Sequence, residues 1–471
     1  MKETYDVVII GAGPAGLSAG YELSKKNLKV LIIEKKNNVG GLAETKVFGE
    51  YRYDIGPHRF FTKNQEIEKL FLTILGDDSV EVDRFTRIFY KNKFFNYPLT
   101  IVNAIFGLGF LESIFILLSF IWAKLKNLLR MTSINNFEEW VTDKFGKKLF
   151  QNFFKVYTEK VWGINCSEIG VEWAAQRIKG LSLYTAIKTS LFPNSTKKPK
   201  SLINKFHYPR LGAGMLWEKL EKILQENGID IIKNCNVKKI KKTPHGLSII
   251  SVRDKKNLVI NSRNIFFSNP LVEFVNIFDV EKSEELLKSV RSLKYRSHIS
   301  VHITIDKKLF RDNWIYIHSK NVNVARISDF TNFSNEMSPP ETFSLTLEYF
   351  CYDNDKFYNE DSSKIVEFAI KELKTIFPVE FNILHSAISK NRYAYPVIKT
   401  GFENEIKIIK NWLNNHNEIT PIGRTGMFKY NNQDHAMATG IYAARKYLGL
   451  GNYDPWLVNV DGEYIEEIRN K

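Results

Sequence analysis

The first 34 residues of the chain constrain its fold more than any other stretch. An apolar, β-branched run at 7–10 is followed at once by a turn with the spacing G-x-G-x-x-G, then by a stretch with helical character from Pro14, and then by a second apolar run at 30–33. Short apolar runs of this kind are typical of parallel strands buried on both faces. The order strand, glycine turn, helix, strand therefore predicts a Rossmann-type α/β domain that binds a dinucleotide.

The glycines of this turn have separate roles. The first permits the tight turn, the second lets the backbone approach a pyrophosphate, and the third lets the helix pack on the strand. The helix points the positive end of its dipole at phosphate groups, and an acid at the end of the second strand can accept a hydrogen bond from a ribose hydroxyl. We therefore predict dinucleotide contacts by Gly11, Gly13, Ala15, Gly16, Glu34 and Lys35. The alternative is a glycine turn without a ligand.

A second glycine pair, Gly40 and Gly41 in NNVGGLAE, lies just past the second strand. It resembles the second glycine signature of FAD proteins of the amine-oxidase and UDP-galactopyranose mutase superfamily. The resemblance implies that this loop approaches the diphosphate and ribityl chain of a flavin, with contacts at Gly41 and Leu42. It favours FAD over NAD as the resident cofactor.

Composition limits the remaining classes. The chain of 471 residues is long enough for two or three domains, and its three widely spaced cysteines indicate neither a disulfide framework nor a metal site. The formal net charge of +15 favours an anionic partner, either phosphate ligands or an acidic membrane surface, or is simply a solvated lysine surface. No nucleic-acid motif is present, so we expect no nucleic-acid partner. The chain starts directly on a strand without a secretory signal, and we expect a cytoplasmic protein.

The pattern along the chain predicts three interleaved domains in an α/β protein. A Rossmann-type FAD-binding domain comprises 1–97, 205–290 and 418–471, with an inserted helical domain at 98–204 and an antiparallel-sheet substrate domain at 291–417. Within these, we predict helices at 214–227 and 362–376, a hairpin formed by 247–252 and 258–261, and a separate buried strand in NIFFSNP. The stretch 193–201 has the composition of a loop.

A wider resemblance now emerges from a series of motifs. In chain order these are IFYKNKFFNYPL, NFEEWVTDKFG, YTEKVWG, WAAQR, FHYPRLGAGMLW, RYAYP and GRTGMFKYNNQDH. They fall in the order seen in UDP-galactopyranose mutases, especially the longer eukaryotic type, and in mutase-like FAD oxidoreductases. The resemblance spans roughly residues 5–450 and is more specific for the superfamily than for mutase activity.

The resemblance implies roles for particular residues on the substrate side. Arg177 and Arg326 match two arginines that bind the diphosphate of a nucleotide sugar, for which the planar guanidinium is suited. His58 lies in a loop against the reactive flavin edge, where its backbone carbonyl can respond to flavin protonation. A wall for the sugar and diphosphate is implied at Tyr97, Trp162, Trp314, Tyr316, Phe333, Tyr395 and Tyr430. For each aromatic residue alone, core packing is the alternative.

The segment near the C-terminus, 423–440, is implied to return and close the flavin site. Gly423, Asn432 and Gln433 would contact the flavin from the start of a helix, with Val237 as a further cofactor contact. Simple helix capping by Asn432 is the alternative. Phe333 stands where mutases tend to have a tyrosine, and the spacing in KYNNQDH is shorter than in eukaryotic mutases, so the sugar or nucleotide can differ.

An apolar segment at 98–130 departs from the family pattern. Its charges are Glu112 and, near its end, Lys124, Lys126 and Arg130. Its length would suffice to span a bilayer, but two glycines and the central glutamate oppose a span. Buried helices are the favoured interpretation, peripheral contact with the cytoplasmic face of a membrane the second, and a transmembrane span the third.

These inferences predict a flavin-dependent mutase that converts a nucleotide sugar between pyranose and furanose forms for cell-surface glycan synthesis. The resemblance implies a reduced FAD, with NAD(P)H as a candidate reductant, and no protein nucleophile or metal. The alternatives are an FAD-dependent oxidoreductase of the amine-oxidase or desaturase type acting on an apolar or lipid-linked substrate, and a flavin-binding scaffold without turnover. The oligomeric state is not predicted.

Overall fold

A computed structural model describes residues 4–97, 107–129, 134–171 and 205–459 of the chain. The first stretch contains β1 Thr4–Ile10, α1 Pro14–Leu23, β2 Val30–Ile33, β3 Thr45–Phe48, β4 Tyr51–Asp54, α2 Gln65–Leu75, β5 Ser79–Asp83, β6 Thr86–Tyr90 and β7 Lys93–Asn96. The middle stretches contain α3 Phe110–Leu128, α4 Phe137–Phe145, α5 Lys147–Phe150 and α6 Val156–Trp162, with a π-helical turn at Gln151–Lys155.

The last stretch begins with β8 Lys205–Pro209, α7 Gly214–Glu226, β9 Asp230–Ile232, β10 Cys235–Thr243, β11 Gly246–Arg253, β12 Lys256–Phe267, α8 Leu271–Ile277, β13 Phe278–Asp279 and α9 Glu284–Ser292. It continues with β14 Tyr295–Ile305, β15 Trp314–Ile317, β16 Arg326–Asp329, β17 Phe343–Cys351, α10 Lys356–Asn359, α11 Ser362–Ile376, β18 Ile383–Pro396, α12 Phe402–Asn414, β19 Ile419–Pro421, α13 Gly423–Gly426 and α14 Gln433–Tyr447. The predicted helix at 362–376 is confirmed, and the one at 214–227 ends one residue earlier.

The first sheet is the predicted Rossmann-type sheet. Its strand order is β13-β10-β11-β12-β1-β2-β9, and β19 also pairs with β12. The strands β12, β1, β2 and β9 are parallel to one another, as the apolar runs predicted. Side chains of β1 alternate between two cores: Val7 and Ile9 pack toward α1, α7 and α14, and Val8 and Ile10 pack toward β10, β11 and α8. The expected strand in NIFFSNP is not separate, because it continues the hairpin strand as a single β12.

The second sheet has the order β18-β14-β17-β16-β15-β6-β7 and is antiparallel except for the β15–β6 pair. It corrects the domain boundary expected at residue 97, because β6 and β7 belong to this sheet and not to the Rossmann-type sheet. The register aligns Thr86 with Trp314 and Tyr316 with Arg326. The N-terminal segment therefore crosses between the two sheets before the helical insertion begins.

The helical insertion lies between β7 and β8, and its helix α3 corrects a further expectation. The sequence favoured buried helices in 98–130, but only Ile116, Phe120 and Ala123 of α3 are buried. Large apolar side chains of α3 are exposed, and Leu111 keeps 72% of its surface accessible. Within the described residues, no helix combines the length and hydropathy that a membrane span requires.

Candidate functional site

A cavity of about 860 Å³ lies where the carboxyl ends of β1 and β2 meet the second sheet and the start of α14. Ligands of open α/β sheets bind at this edge of the strands. Among the predicted cofactor contacts, the cavity lining includes Gly11, Gly13, Ala15, Glu34, Lys35, Gly41, Leu42, His58, Val237, Gly423, Asn432 and Gln433. Among the predicted substrate contacts, it includes Trp314, Tyr316, Arg326, Tyr395 and Tyr430.

The glycine turn after β1 has the geometry that the spacing predicted. Gly11 has φ +103°, a conformation that favours glycine. A Cβ on Gly16 would lie 1.9 Å from the carbonyl oxygen of Gly11, so Gly16 permits close packing of α1 on the strand and does not line the cavity. A Cβ on Gly13 would meet only the Cα of Gly41, at 3.8 Å. The two glycine loops thus face each other across a space that side chains would fill.

Glu34 is fixed by backbone amides on both of its carboxylate oxygens. The N–H of Ala12 donates to Oε2 and the N–H of Lys36 donates to Oε1, each at 2.8 Å. The carboxylate is almost fully buried at the end of β2 and lines the cavity. It is therefore held in place next to the glycine turn, where the sequence predicted a ribose contact.

The polar run before α14 connects the helix to the loop of His58. Asn432 is the N-cap residue of α14 and forms a capping box with His435. The side-chain Nε2 of Gln433 donates to the backbone carbonyl of His58 at 3.1 Å. Gly423 lies directly against the glycine-turn helix, since a Cβ there would be 2.9 Å from the Cβ of Ala15. Both capping and cavity lining are thus features of this segment.

His58 is held as a neutral imidazole. Burial lowers the pKa of His58 to about 3, and the positive charges of Arg326 and Arg424 act in the same direction, against the attraction of Glu348. Its Nδ1 atom is buried and has no hydrogen-bond partner within the described part of the chain. The carbonyl oxygen, which Gln433 fixes, and the neutral ring both belong to the cavity wall.

Arg326 is engaged by a carboxylate that the sequence did not single out. Its Nε and Nη2 atoms donate to both oxygens of Glu348, and Nε2 of His298 lies 3.0 Å from the same carboxylate. Burial opposes ionisation of Glu348, but the charge of Arg326 and the His298 contact outweigh burial and lower the pKa of Glu348 to about 2. Gly56 lies against this pair, since a Cβ there would be 3.0 Å from Glu348 Oε2. Arg326 therefore contributes to the cavity as part of an ion pair.

A second arginine, Arg424, was missed by the sequence reasoning. Its guanidinium packs against the rings of both Tyr395 and Tyr430, at 4.3 and 4.4 Å from their centroids, and the two ring centroids are 5.6 Å apart. The Nη1 atom donates to the carbonyl of Asn431 at 3.4 Å, whereas Nε and Nη2 are buried without a partner among the described residues. The only sequence signal was an arginine directly after Gly423 in a segment already expected to close the cavity.

Only some of the aromatic residues expected to form a wall line the cavity. Trp162 is buried behind the cavity, with its ring centroid 6.0 Å from Tyr395 and 5.6 Å from Tyr430. Tyr97 stands 5.3 Å from Tyr316, also outside the lining. Phe333 packs in a core cluster, with its ring 4.9 Å from that of Tyr208, and does not reach the cavity. Arg177 lies outside the described residues.

Several polar atoms in the lining indicate a polar ligand. Oδ1 of Asn269, Nδ1 of His58 and two nitrogens of Arg424 have no partner among the described residues. Buried polar atoms in folded proteins are normally hydrogen-bonded, so these atoms are suited to contacts with a bound molecule. The facing glycine loops suit a diphosphate, and the carboxylate of Glu34 suits a ribose. The residues present therefore fit a flavin dinucleotide.

Comparisons with known proteins agree with this geometry. A family model described as an NAD(P)-binding Rossmann-like domain matches residues 9–73. A UDP-galactopyranose mutase from Mycoplasma genitalium is 25% identical over 289 residues, which cover 57% of this chain and 59% of that protein. A crystal structure of reduced UDP-galactopyranose mutase superposes with a TM-score of 0.83 and 20% identity, over 97% of this chain and 99% of that one. The chain has the fold of UDP-galactopyranose mutase.

The mutase fold is shared with oxidases. A putative protoporphyrinogen oxidase from Exiguobacterium sp. 255-15 superposes with a TM-score of 0.70 and 15% identity, over 94% of this chain and 99% of that one. The predicted resemblance to the mutase and oxidase superfamily is thereby confirmed, and so is the α/β fold with its helical insertion and antiparallel sheet. At these identities the comparisons establish the fold and leave the reaction to the chemistry of the cavity.

Proposed function

We propose that this protein binds FAD in the cavity between its two glycine loops. Gly11 to Ala15 and Gly41 to Leu42 would hold the pyrophosphate, and Glu34 would hold a ribose. Asn432 and Gln433 would face the flavin ring from the start of α14. The positive end of this helix would stabilise the negative charge that the ring gains on reduction. The supporting observation is the open space at Gly13, where a Cβ would meet nothing nearer than Gly41 at 3.8 Å.

We further propose that the reaction is a pyranose–furanose isomerisation of a nucleotide sugar. The carrying observation is the guanidinium of Arg424, which packs against the rings of Tyr395 and Tyr430 and has two buried nitrogens without a partner in the described residues. A buried, oriented guanidinium is suited to a phosphate group, and aromatic faces are suited to a sugar. A purely apolar substrate would leave those nitrogens unsatisfied.

The reduced form of a bound FAD supplies a nucleophilic nitrogen that can displace a diphosphate from an anomeric carbon. The residues of the chain bind and orient the groups that react. Arg424 binds the diphosphate and stabilises the charge that grows on it as the bond to the sugar breaks. Tyr316, Tyr395 and Tyr430 orient the sugar and exclude water. His58, with a neutral ring and a fixed carbonyl, presents an uncharged surface beside the flavin site.

Redox stoichiometry tests this proposal against a net oxidoreductase, the second class that shares the fold. Purified protein is reduced once with dithionite under anaerobic conditions and given a panel of nucleotide sugars, and products are identified by mass spectrometry. We expect many isomerised product molecules for each reduced protein, because a mutase returns its cofactor in the reduced form. NAD(P)H replaces dithionite in a second arm to test it as the reductant. The oxidised protein serves as the control.

Two results would contradict the proposal at different levels. Product that forms in proportion to the oxygen or quinone consumed, with no isomer, would identify an oxidoreductase instead. If the purified protein shows no flavin absorbance and takes up no FAD on reconstitution, FAD is not its cofactor.

A further inference from the structure

The inward side of helix α3 makes polar contacts beside the buried Ile116, Phe120 and Ala123, and its outward side is apolar. Its only carboxylate, Glu112, accepts a hydrogen bond from Asn152 at 3.0 Å and pairs with Lys148 at 3.3 Å. The hydroxyl of Ser119 accepts from the backbone N–H of Lys148, also at 3.0 Å. Surface helices of globular proteins direct their apolar stripe toward the core and a polar side toward solvent, whereas the solvent side of α3 is also apolar. The inward polar contacts fix this orientation of the helix.

The outward side of α3 is a continuous apolar surface, which we call the α3 face. Its members are large and exposed: Phe110, Leu111, Ile114, Phe115, Leu117, Leu118, Ile121, Trp122, Leu125 and Leu128. Single exposed apolar residues are common, but a contiguous set of this size marks a surface that contacts another apolar phase. Three of its members are aromatic, including a tryptophan, as in helices that lie in the interface of a membrane.

Lysines flank the α3 face near the start and near the end of the helix. Near its start, Nζ of Lys93 donates to the carbonyl of Gly107 at 3.0 Å. Near its end, Lys124 lies over the ring of Phe120, and Lys126 over the ring of Trp122. The neighbouring helices add Lys144, Lys147 and Lys148, and the acidic groups that touch this region, Glu112 and Asp143, are each paired with a lysine. The rim of the apolar surface is therefore positive.

We propose that the α3 face seats the protein on the surface of an anionic lipid bilayer. Its apolar side chains enter the boundary between headgroups and acyl chains, and the lysines bind anionic headgroups. A second copy of the chain would complement the face less well, because a two-fold interface sets the same patch against itself and brings the lysine rims together. Nothing in this proposal depends on the reaction at the cavity.

Vesicle binding by the full-length protein tests the proposal. Wild-type protein is sedimented with vesicles of phosphatidylcholine containing phosphatidylserine, with vesicles of phosphatidylcholine alone, and without vesicles. We expect sedimentation with the anionic vesicles, weakened by salt because the lysine contribution is electrostatic. The double variant Leu118→Glu/Ile121→Glu should bind at least about tenfold more weakly, since it places charge in the apolar contact.

Two further variants distinguish binding by the α3 face from nonspecific hydrophobic binding and from the effects of misfolding. Val379→Glu/Leu384→Glu removes exposed apolar residues that are not part of the α3 face and should bind as wild type does. Trp122→Phe should bind normally but lose part of the tryptophan quenching that brominated lipids cause in wild type, which reports insertion at this position. Circular dichroism and melting temperature verify that each variant is folded, as expected for substitutions at exposed positions.

Three results would overturn the proposal. The first is wild-type protein that stays in the supernatant with every kind of vesicle. The second is equal binding to anionic vesicles by the α3 variant and by wild type. The third is a concentration-dependent oligomer in light scattering that the α3 variant abolishes while vesicles have no effect. That outcome would assign the face to a second copy of the chain.

Discussion

At the scale of single residues, Arg424 is the side chain whose removal should reveal most about the cavity. Its charge packs against two tyrosine rings and meets no carboxylate within the part of the chain that the structure describes, so two of its nitrogens remain for a ligand. We expect Arg424→Ala to weaken binding of a nucleoside diphosphate by about 2–4 kcal/mol, or roughly 30- to 1000-fold in Kd. Isothermal titration calorimetry with UDP and other nucleoside diphosphates measures this change.

Two control variants sharpen that measurement. Arg424→Lys keeps the charge but loses the planar group and should recover only part of the affinity. Arg291→Ala removes an exposed arginine that pairs with Glu284 away from the cavity, and it should leave Kd unchanged. Equal affinities for wild type and Arg424→Ala would show that the guanidinium serves only to pack the two tyrosines.

Arg326 is a less informative target because its partner is buried. Removing it would leave the carboxylate of Glu348 without its cation in a site that excludes water, and isolated buried charges are costly. A loss of ligand affinity in Arg326→Ala would therefore mix a binding effect with a folding effect. The resemblance identified this arginine from sequence, but the pairing with Glu348 depends on the register of β16 with β17, which sequence spacing does not reveal.

At the scale of elements, the two glycine loops separate ligand binding from folding. Gly13→Val places a side chain in the open space between the loops, so we expect loss of bound FAD with little change in the melting temperature of the apoprotein. Gly16→Ala places a methyl group 1.9 Å from the carbonyl of Gly11 and should destabilise the fold by roughly 1–3 kcal/mol. Flavin absorbance and thermal melts of apoprotein distinguish the two. Normal FAD content in Gly13→Val would mean that the pyrophosphate does not occupy this space.

The elements also show what sequence can and cannot predict here. The unit β1–α1–β2 was predictable because its apolar runs and glycine turn are local patterns, and α11 was predictable because its apolar periodicity is complete. The assignment of β6 was not, because its partner β15 lies more than 200 residues further along the chain. The burial of Phe333 and the exposure of α3 were missed as well. Hydropathy does not reveal which surface covers a side chain, because that surface comes from other parts of the chain.

The site illustrates the same limit. The glycines and Glu34 could be identified from their spacing, because one short segment positions them all. The cluster of Arg424 with Tyr395 and Tyr430 could not, because it joins the end of β18 with Arg424 in α13 and with Tyr430 just after that helix. Local motifs therefore located the lining residues at the glycine loops better than the lining residues around Arg424.

At the scale of the whole molecule, buried ionisable groups make stability depend on pH. Burial lowers the pKa of His58, of His302 and of His318 to about 3, and nearby positive charges act in the same direction. Burial raises the pKa of Asp54 to about 7, although hydrogen bonds from Thr45 and Tyr208 oppose this rise. Unfolding near pH 5 therefore adds a proton to each histidine and removes one from Asp54. The net uptake from these four groups is two protons.

This uptake fixes the sign of the pH dependence. A depressed histidine pKa gives stability that is present above the unfolded pKa of about 6.5 and is lost as the pH falls toward 3, whereas Asp54 opposes the loss between about pH 7 and 4. We expect the free energy of unfolding to fall by about 2.7 kcal/mol per pH unit near pH 5 from these groups. Glu348, with its pKa of about 2, adds a further loss below about pH 4.5.

Urea unfolding of ligand-free protein between pH 7 and pH 4 measures how the free energy of unfolding changes with pH. The contribution of a single histidine to this slope can be measured with a variant. His302 contacts Thr346 and Ser389 through its two ring nitrogens, at 2.9 Å each, and His302→Gln offers both oxygens an amide partner. The substitution lowers stability at every pH, but it should also reduce the slope near pH 5 by about one proton, because the glutamine cannot take up a proton on unfolding. The same change at the exposed His245 is the control for the loss of a histidine. A slope in His302→Gln equal to that of wild type would show that His302 does not remain neutral in the folded protein.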